Sequence, residues 1–146
     1  MTEKNKIIPS ACLILLKNNK ILLSRRYNTG YEDGKYMPPS GHVELDESFT
    51  QAIIREIKEE IGIDIKNEDL KVVHTINRKL SSSRENWIDV FLLAKNWDGE
   101  VKNMEPEKCD DLNWFDIDNI PENTVEYIKF VIDKIKNNIT YSEYGW

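Results

Sequence analysis

Residues 41–63, GHVELDESFTQAIIREIKEEIGI, describe a helix with both of its ends marked. Ser48 followed by Gln51 fits a capping box, with a hydroxyl at the N-cap and an amide reaching back from the third helical position. The helix is therefore expected to begin near Phe49. Gly62 tolerates positive φ and predicts a stop at about Ile61, and the leading Gly41 reads as a turn. At 100° per residue, Ile53, Ile54, Ile57 and Ile61 share one arc, and Glu56, Glu59 and Glu60 share another with Ala52. The apolar arc faces a core. In the acidic arc Glu56 and Glu60 are an i,i+4 pair and Glu56 and Glu59 an i,i+3 pair, which costs about 0.2–0.5 kcal/mol per like-charged pair. A divalent cation removes that cost, since hard carboxylate oxygens suit Mg²⁺. A solvated acidic face is the other reading of the same arc.

The stretch is similar, position by position, to the signature of the Nudix hydrolases, GX5EX7REUXEEXGU, with U a bulky aliphatic residue. Gly41, Glu47, Arg55, Glu56, Ile57, Glu59, Glu60, Gly62 and Ile63 fill every defined position. Seven fixed identities, each at about 5–7% average usage, make a chance match on the order of 10⁻⁸ per starting position. Weaker similarity runs from about Ala11 to Asp116. The resemblance implies an α/β (α+β) fold with a mixed β-sheet between helices. It also implies hydrolysis of a nucleoside diphosphate linked to another group, with Mg²⁺ as cofactor and Mn²⁺ able to substitute. Carried over residue by residue, Glu59 and Glu60 with the Ser40 carbonyl hold the ion. Glu56 is the base or a further ligand, Arg55 its orienting partner, and Glu47 a support from the preceding loop. Relatives usually carry a second glycine at position 40. A carbonyl ligand survives the change to serine, because it does not depend on the side chain.

Composition is that of a soluble globular protein. The 146 residues suit one domain, residues 1–146, and can bury a real core. No apolar run has the length of a membrane span, and MTEKNKIIPS lacks the features of a signal peptide, so a cytoplasmic location is expected. The net charge of −6 argues against stable nucleic-acid binding; an anionic substrate must be met locally, by metal and a few cations. Cys12 lies in an apolar strand pattern and Cys109 in an acidic loop, which gives neither a disulfide framework nor a zinc pattern. With only His42 and His74 available, a histidine metal site is not expected.

Along the chain, Ala11–Leu16 and Ile21–Arg26 read as a β-hairpin turning at Asn18 and Asn19. Its second arm ends in Arg25 and Arg26; arginines in such positions of MutT-type Nudix enzymes approach substrate, and Arg26 aligns better. Residues 27–35, YNTGYEDGK, form a loop. Leu70–Lys79 and Trp87–Lys95 read as strands joined by the polar run 81–86. Trp87 is either a sheet-face aromatic or a wall of a base pocket, for which Tyr36 is the other candidate. Pro121 to about Asn137 is predicted to be a second helix. The tail YSEYGW leaves a frayed end, a homodimer contact and a substrate lid open.

The segment NMEPEKC, followed by a tryptophan-containing strand, resembles nucleoside triphosphate diphosphatases of the MutT type. In those relatives a carboxylate of this loop completes the metal site, which nominates Glu105, with Glu107 second. The function this implies is cleavage of a nucleoside or deoxynucleoside triphosphate, oxidised or otherwise modified forms included, to monophosphate and pyrophosphate. Its rivals are an enzyme of the same family acting on ADP-ribose or a dinucleoside polyphosphate, and a noncatalytic nucleotide-sensing domain, against which the complete set of box acids counts.

Overall fold

The computed structural model describes residues 2–80 and 84–146; residues 81–83 of the predicted polar connection lie outside the described residues. In chain order the elements are β1 (Ile7–Lys17), β2 (Lys20–Arg26), β3 (Tyr36–Met37), β4 (Ser40–His42), α1 (Phe49–Ile61), β5 (Lys71–Lys79), β6 (Asn86–Ala94), β7 (Cys109–Asp116), α2 (Glu126–Lys136) and β8 (Tyr141–Tyr144). The architecture is α+β, a mixed sheet with a helix packed on each face.

β1 is the strand the sheet is built around. It runs parallel to β6 from Ile7↔Asn86 to Leu15↔Ala94 and antiparallel to β4 through Ser10↔His42, Ala11↔Gly41 and Cys12↔Ser40. Side chains alternate across a strand. Ala11, Leu13 and Leu15 therefore join Val90, Leu92 and Ala94 under the α1 residues Ala52, Ile53, Ile57 and Ile61. Cys12 and Ile14 join Ile76 and Phe91 under the α2 residues Ile128, Val131 and Ile132. Burial on both faces is why this part of the chain reads as an unbroken apolar run.

The hairpin is real but short. Asn18 and Asn19 have φ values of 51° and 61°, the twist-matched geometry for a two-residue turn, yet β1 and β2 pair only at Leu16↔Ile21 and Lys17↔Lys20. Beyond the turn β2 swings away to pair with β7 and β3. β4 fills the vacated side of β1, helped by the bond from the Leu13 amide to the Pro39 carbonyl, 2.9 Å.

α1 has the predicted bounds and caps. The Ser48 hydroxyl accepts from the Gln51 amide and the Gln51 side chain accepts from the Ser48 amide. Gly62 closes the helix at φ 75°. α2 begins at Glu126 rather than at Pro121. The residues before it form a turn, closed by the Thr124 amide on the Pro121 carbonyl at 3.1 Å, and a single bridge to β3, where the Tyr36 amide bonds the Asn123 carbonyl at 2.9 Å and the Val125 amide bonds the Tyr36 carbonyl at 3.0 Å. The tail is neither frayed nor a lid. It forms β8, parallel to the edge of β5 from Thr75↔Tyr141 to Arg78↔Tyr144, and Tyr144 packs on Tyr127 and Phe130. No described helix is long and apolar enough to cross a membrane.

Buried His74 ties this edge strand down, its Nδ1 2.7 Å from the Ile139 carbonyl and its Nε2 2.7 Å from Ser142 Oγ. Ser142→Ala leaves a buried ring nitrogen without a partner, a cost of about 1–3 kcal/mol. Thermal unfolding is expected to show the drop, with wild-type secondary structure by circular dichroism.

Candidate active site

α1 lies across β4, and the contact between them explains Gly41. Gly41 is in a strand without positive φ, so the turn read from sequence is corrected. The glycine is needed because a Cβ there would overlap Cγ, Cδ and Oε1 of Glu56. The Glu56 side chain thus lies directly on the β4 backbone. Arg55 holds it there. Arg55 Nη1 donates to Glu56 Oε1 at 2.8 Å, while Nε and Nη2 form a fork onto Glu47 at 2.7 and 2.9 Å. Nη2 also reaches the His42 carbonyl at 3.2 Å. Planar two-toothed pairing of this kind fixes orientation as well as charge. The Arg55 guanidinium holds the Glu47 carboxyl down at about 2.

A cleft of about 610 Å³ opens beside this clamp, lined by Ser40, Glu56, Glu59, Glu60, Glu105 and Arg26 among others. Burial pushes the Glu60 carboxyl well above the ordinary carboxylate range, and the charges of Glu56 and Glu105 push it the same way; a hydrogen bond from the Ser40 backbone opposes them. Glu59 stands at the rim, its side chain 57% exposed. Glu105 comes from a loop laid along the end of α1, where the Lys102 amide bonds the Ile61 carbonyl and the Met104 amide the Glu60 carbonyl, both at 3.0 Å. Asn103 shapes this loop by accepting from the Glu105 amide at 3.1 Å and donating to the Cys109 carbonyl at 2.7 Å. Glu107 is exposed and does not line the cleft.

Cations frame the acids. Lys108 lines the cleft and lies 3.5 Å from Glu105. Arg26 is held by its own loop: Nε donates to the Tyr31 carbonyl at 2.6 Å, Nη2 to Thr29 Oγ1 at 3.1 Å, and the guanidinium sits 5.4 Å from the Tyr31 ring centre. Residues 27–35 are thus folded around an arginine.

A second cavity of about 530 Å³ adjoins the first, sharing Arg26, Met37, Ser40 and Glu56 with it. Its further walls include Trp87, Arg78, Asp89 and Tyr127. Trp87 therefore lines a cavity, and its indole Nε1 is buried with no hydrogen-bond partner among the described residues. Arg25 and Tyr36 line neither cavity. Arg25 pairs with Asp110 of the neighbouring β7 at 2.7 Å. Tyr36 is buried edge-on to Phe115 and donates to Asp111; burial first, then that bond, pushes its pKa up to about 12.

Sequence reading overlooked Lys108, Arg78, Asp89 and Tyr127. A signal existed for two of them: in period two Arg78 shares a face with His74 and Ile76, and Asp89 with Phe91, so charges were due on a buried face.

Comparison with known proteins settles the family. The model of the NUDIX domain matches residues 6–133. The chain belongs to the Nudix family. It is a Nudix hydrolase, and its relatives include the ADP-ribose pyrophosphatase of Methanocaldococcus jannaschii, 31% identical over 84% of this chain and 70% of that protein. The 8-oxo-dGTP diphosphatase of Proteus vulgaris is 35% identical over 69% of this chain and 87% of that protein. The NAD-capped RNA hydrolase NudC of Stutzerimonas stutzeri is 28% identical over 80% of this chain, which spans only 39% of that protein. The MutT NUDIX hydrolase structure from Burkholderia pseudomallei has the same fold, with TM-score 0.79, 24% identity and coverage of 88% of this chain and 97% of that one.

Nudix hydrolases generally use divalent metal ions, and the donor chemistry here fits one. Among the described residues no three acidic, histidine or cysteine side chains form a ready cage. However, burial first, and then the charges of Glu56 and Glu105, oppose the ionised form of Glu60, and a cation bound beside it would offset both. Mg²⁺ keeps several waters and needs only one or two carboxylates.

Two expectations follow. Gly41→Ala displaces Glu56 from the strand, so kcat is expected to fall on the order of 10²-fold while circular dichroism stays that of the folded enzyme. Glu60, raised above its ordinary 4.5 in the folded state, makes the native protein bind more protons than the unfolded chain, so stability falls as pH rises between the two pKa values. Glu60→Gln removes that penalty. In chelator, its melting temperature is expected to exceed that of wild type at about pH 8, with the gap closing toward about pH 4.

Proposed function

We propose that this Nudix hydrolase cleaves a nucleoside or deoxynucleoside triphosphate to the monophosphate and pyrophosphate, with Mg²⁺ as cofactor and Mn²⁺ able to substitute. The observation that carries the reading is the pair of adjoining cavities, one acidic with cations at its rim, the other aromatic. That arrangement suits a polyphosphate joined to a single nucleoside. A triphosphate brings about four negative charges to a protein whose net charge is −6, so local positive charge has to receive it. Arg26 and Lys108 meet that need at the cleft.

The metal reading uses Glu56, Glu59, Glu60, Glu105 and the Ser40 carbonyl as ligands. A divalent ion bound there shields the phosphates and lowers the pKa of water. Glu56, aimed by Arg55 and supported through it by Glu47, takes the proton released as water adds across the phosphoanhydride. Arg26 orients the chain of phosphates, held ready by Thr29 and Tyr31. Trp87 stands at the nucleoside side. Arg25 and Tyr36, away from both cavities, drop out of the substrate-binding set.

The second reading, ADP-ribose as substrate, has the Methanocaldococcus jannaschii relative in its favour. A substrate panel with Mg²⁺, in which products are identified chromatographically, separates the two. Pyrophosphate release from triphosphates is expected, and efficient cleavage of ADP-ribose with no pyrophosphate from any triphosphate sinks the proposal. Glu59→Gln and Glu60→Gln are each expected to lower kcat by about 10²-fold or more, with the fold intact.

A further inference from the structure

The second cavity contains a charged group that the hydrolytic chemistry does not use. Arg78, 5% exposed, and Asp89, 1% exposed, form an ion pair in its wall, with Arg78 Nε 2.8 Å from Asp89 Oδ2 and Nη2 3.3 Å from Oδ1. Ser10 donates its hydroxyl to the same Oδ1. The guanidinium is further fixed by two rings, with Cζ 4.1 Å from the centre of Tyr127 and 5.0 Å from that of Trp87. A buried charge held by a pair, a hydroxyl and two aromatic rings has a single orientation.

Orientation decides what this arginine offers. A guanidinium carries five N–H donors in a planar fork and no acceptor. Asp89 takes the edge made by Nε and Nη2. The edge made by Nη1 and the second hydrogen of Nη2 is not engaged by Asp89, and Arg78 lines the cavity. Asp89 also neutralises the charge locally, so the wall suits a neutral polar edge better than a phosphate. The aromatic lining of Trp87, Tyr127 and Tyr31 suits a flat ring.

We propose that Arg78 is a specificity-determining residue that reads the base of the nucleotide, selecting bases with a carbonyl oxygen at purine C6 or pyrimidine C4 over those with an amino group at that position. This rests on the reading that the nucleoside enters the second cavity. Guanine and uracil offer oxygen acceptors where adenine and cytosine carry N–H₂ donors, and an N–H₂ group set against guanidinium hydrogens has no partner. Asp89 and Ser10 are positioning residues, since they act by aiming Arg78.

The test compares matched bases at constant phosphate. With Mg²⁺, the wild-type kcat/KM is expected to favour GTP over ATP and UTP over CTP by about tenfold or more. Calorimetry with GMP and AMP should show the same order in binding alone. Arg78→Lys keeps the charge pair but loses the planar two-donor edge, so both ratios should contract to within about threefold, through loss for the carbonyl bases. The double variant Arg78→Gln, Asp89→Asn removes both buried charges together and provides a second route to the same contraction if lysine disturbs folding. Wild-type ratios near unity, a preference for the amino bases, or ratios that survive both substitutions overturn the assignment. Absence of pyrophosphate release with the monophosphate preference intact would sink the triphosphate reaction and leave the role of Arg78 standing.

Discussion

The Glu56 side chain lies on the backbone of Gly41, and this contact sets where the Glu56 carboxylate stands. A side chain at position 41 would displace the Glu56 carboxylate from β4. With glycine there, Glu56 lies against β4 within reach of Arg55, which also holds Glu47 and touches the His42 carbonyl. One arginine thereby joins the helix, the strand and the loop between them. Glu56 and Glu47 are placed as a rigid pair, because each tooth of the fork is committed.

The acids of the cleft crowd one another. Glu60 is buried beside Glu56 and Glu105, and the Ser40 backbone, Arg55 on Glu56 and Lys108 on Glu105 partly offset the crowding. Sites of this kind give up stability for function, since a group that repels its neighbours in the free protein is the one that binds a cation when it arrives. The surrounding packing supplies the stability elsewhere, through the two apolar layers on either side of β1.

The two layers also divide the labour. The α1 side of the sheet leads to the acidic cleft. The α2 side, after His74, Ile76 and Phe91, ends in the Arg78–Asp89 pair and the second cavity. Parity along β5 and β6 puts these charges on a buried face, where a lone ion would be prohibitive and a pair with Ser10 and two rings is tolerated. Met37 and Ser40, from the short segment between Tyr36 and Gly41, line both cavities and join them.

Local chemistry was legible in the sequence wherever the cause was local. The capping box, the left-handed Gly62, the Asn18–Asn19 turn and the period of α1 each depend on residues a few positions apart, and the acidic motif with its family resemblance came from the same stretch. What depended on distant partners was not legible. Pro121 to Val125 does not begin a helix because a turn and a bridge to β3 claim its backbone. The tail becomes a strand because β5 has an open edge and His74 a pair of ring nitrogens to satisfy. Arg25 and Arg26 are neighbours in the chain, but alternation sends one to Asp110 and the other to the cleft. Gly41 looked like a turn and proved to be the floor beneath a glutamate. A glycine, an arginine or a short tail has no fixed role in isolation, because what it does is set by the atoms that approach it, and those arrive only when the chain has folded.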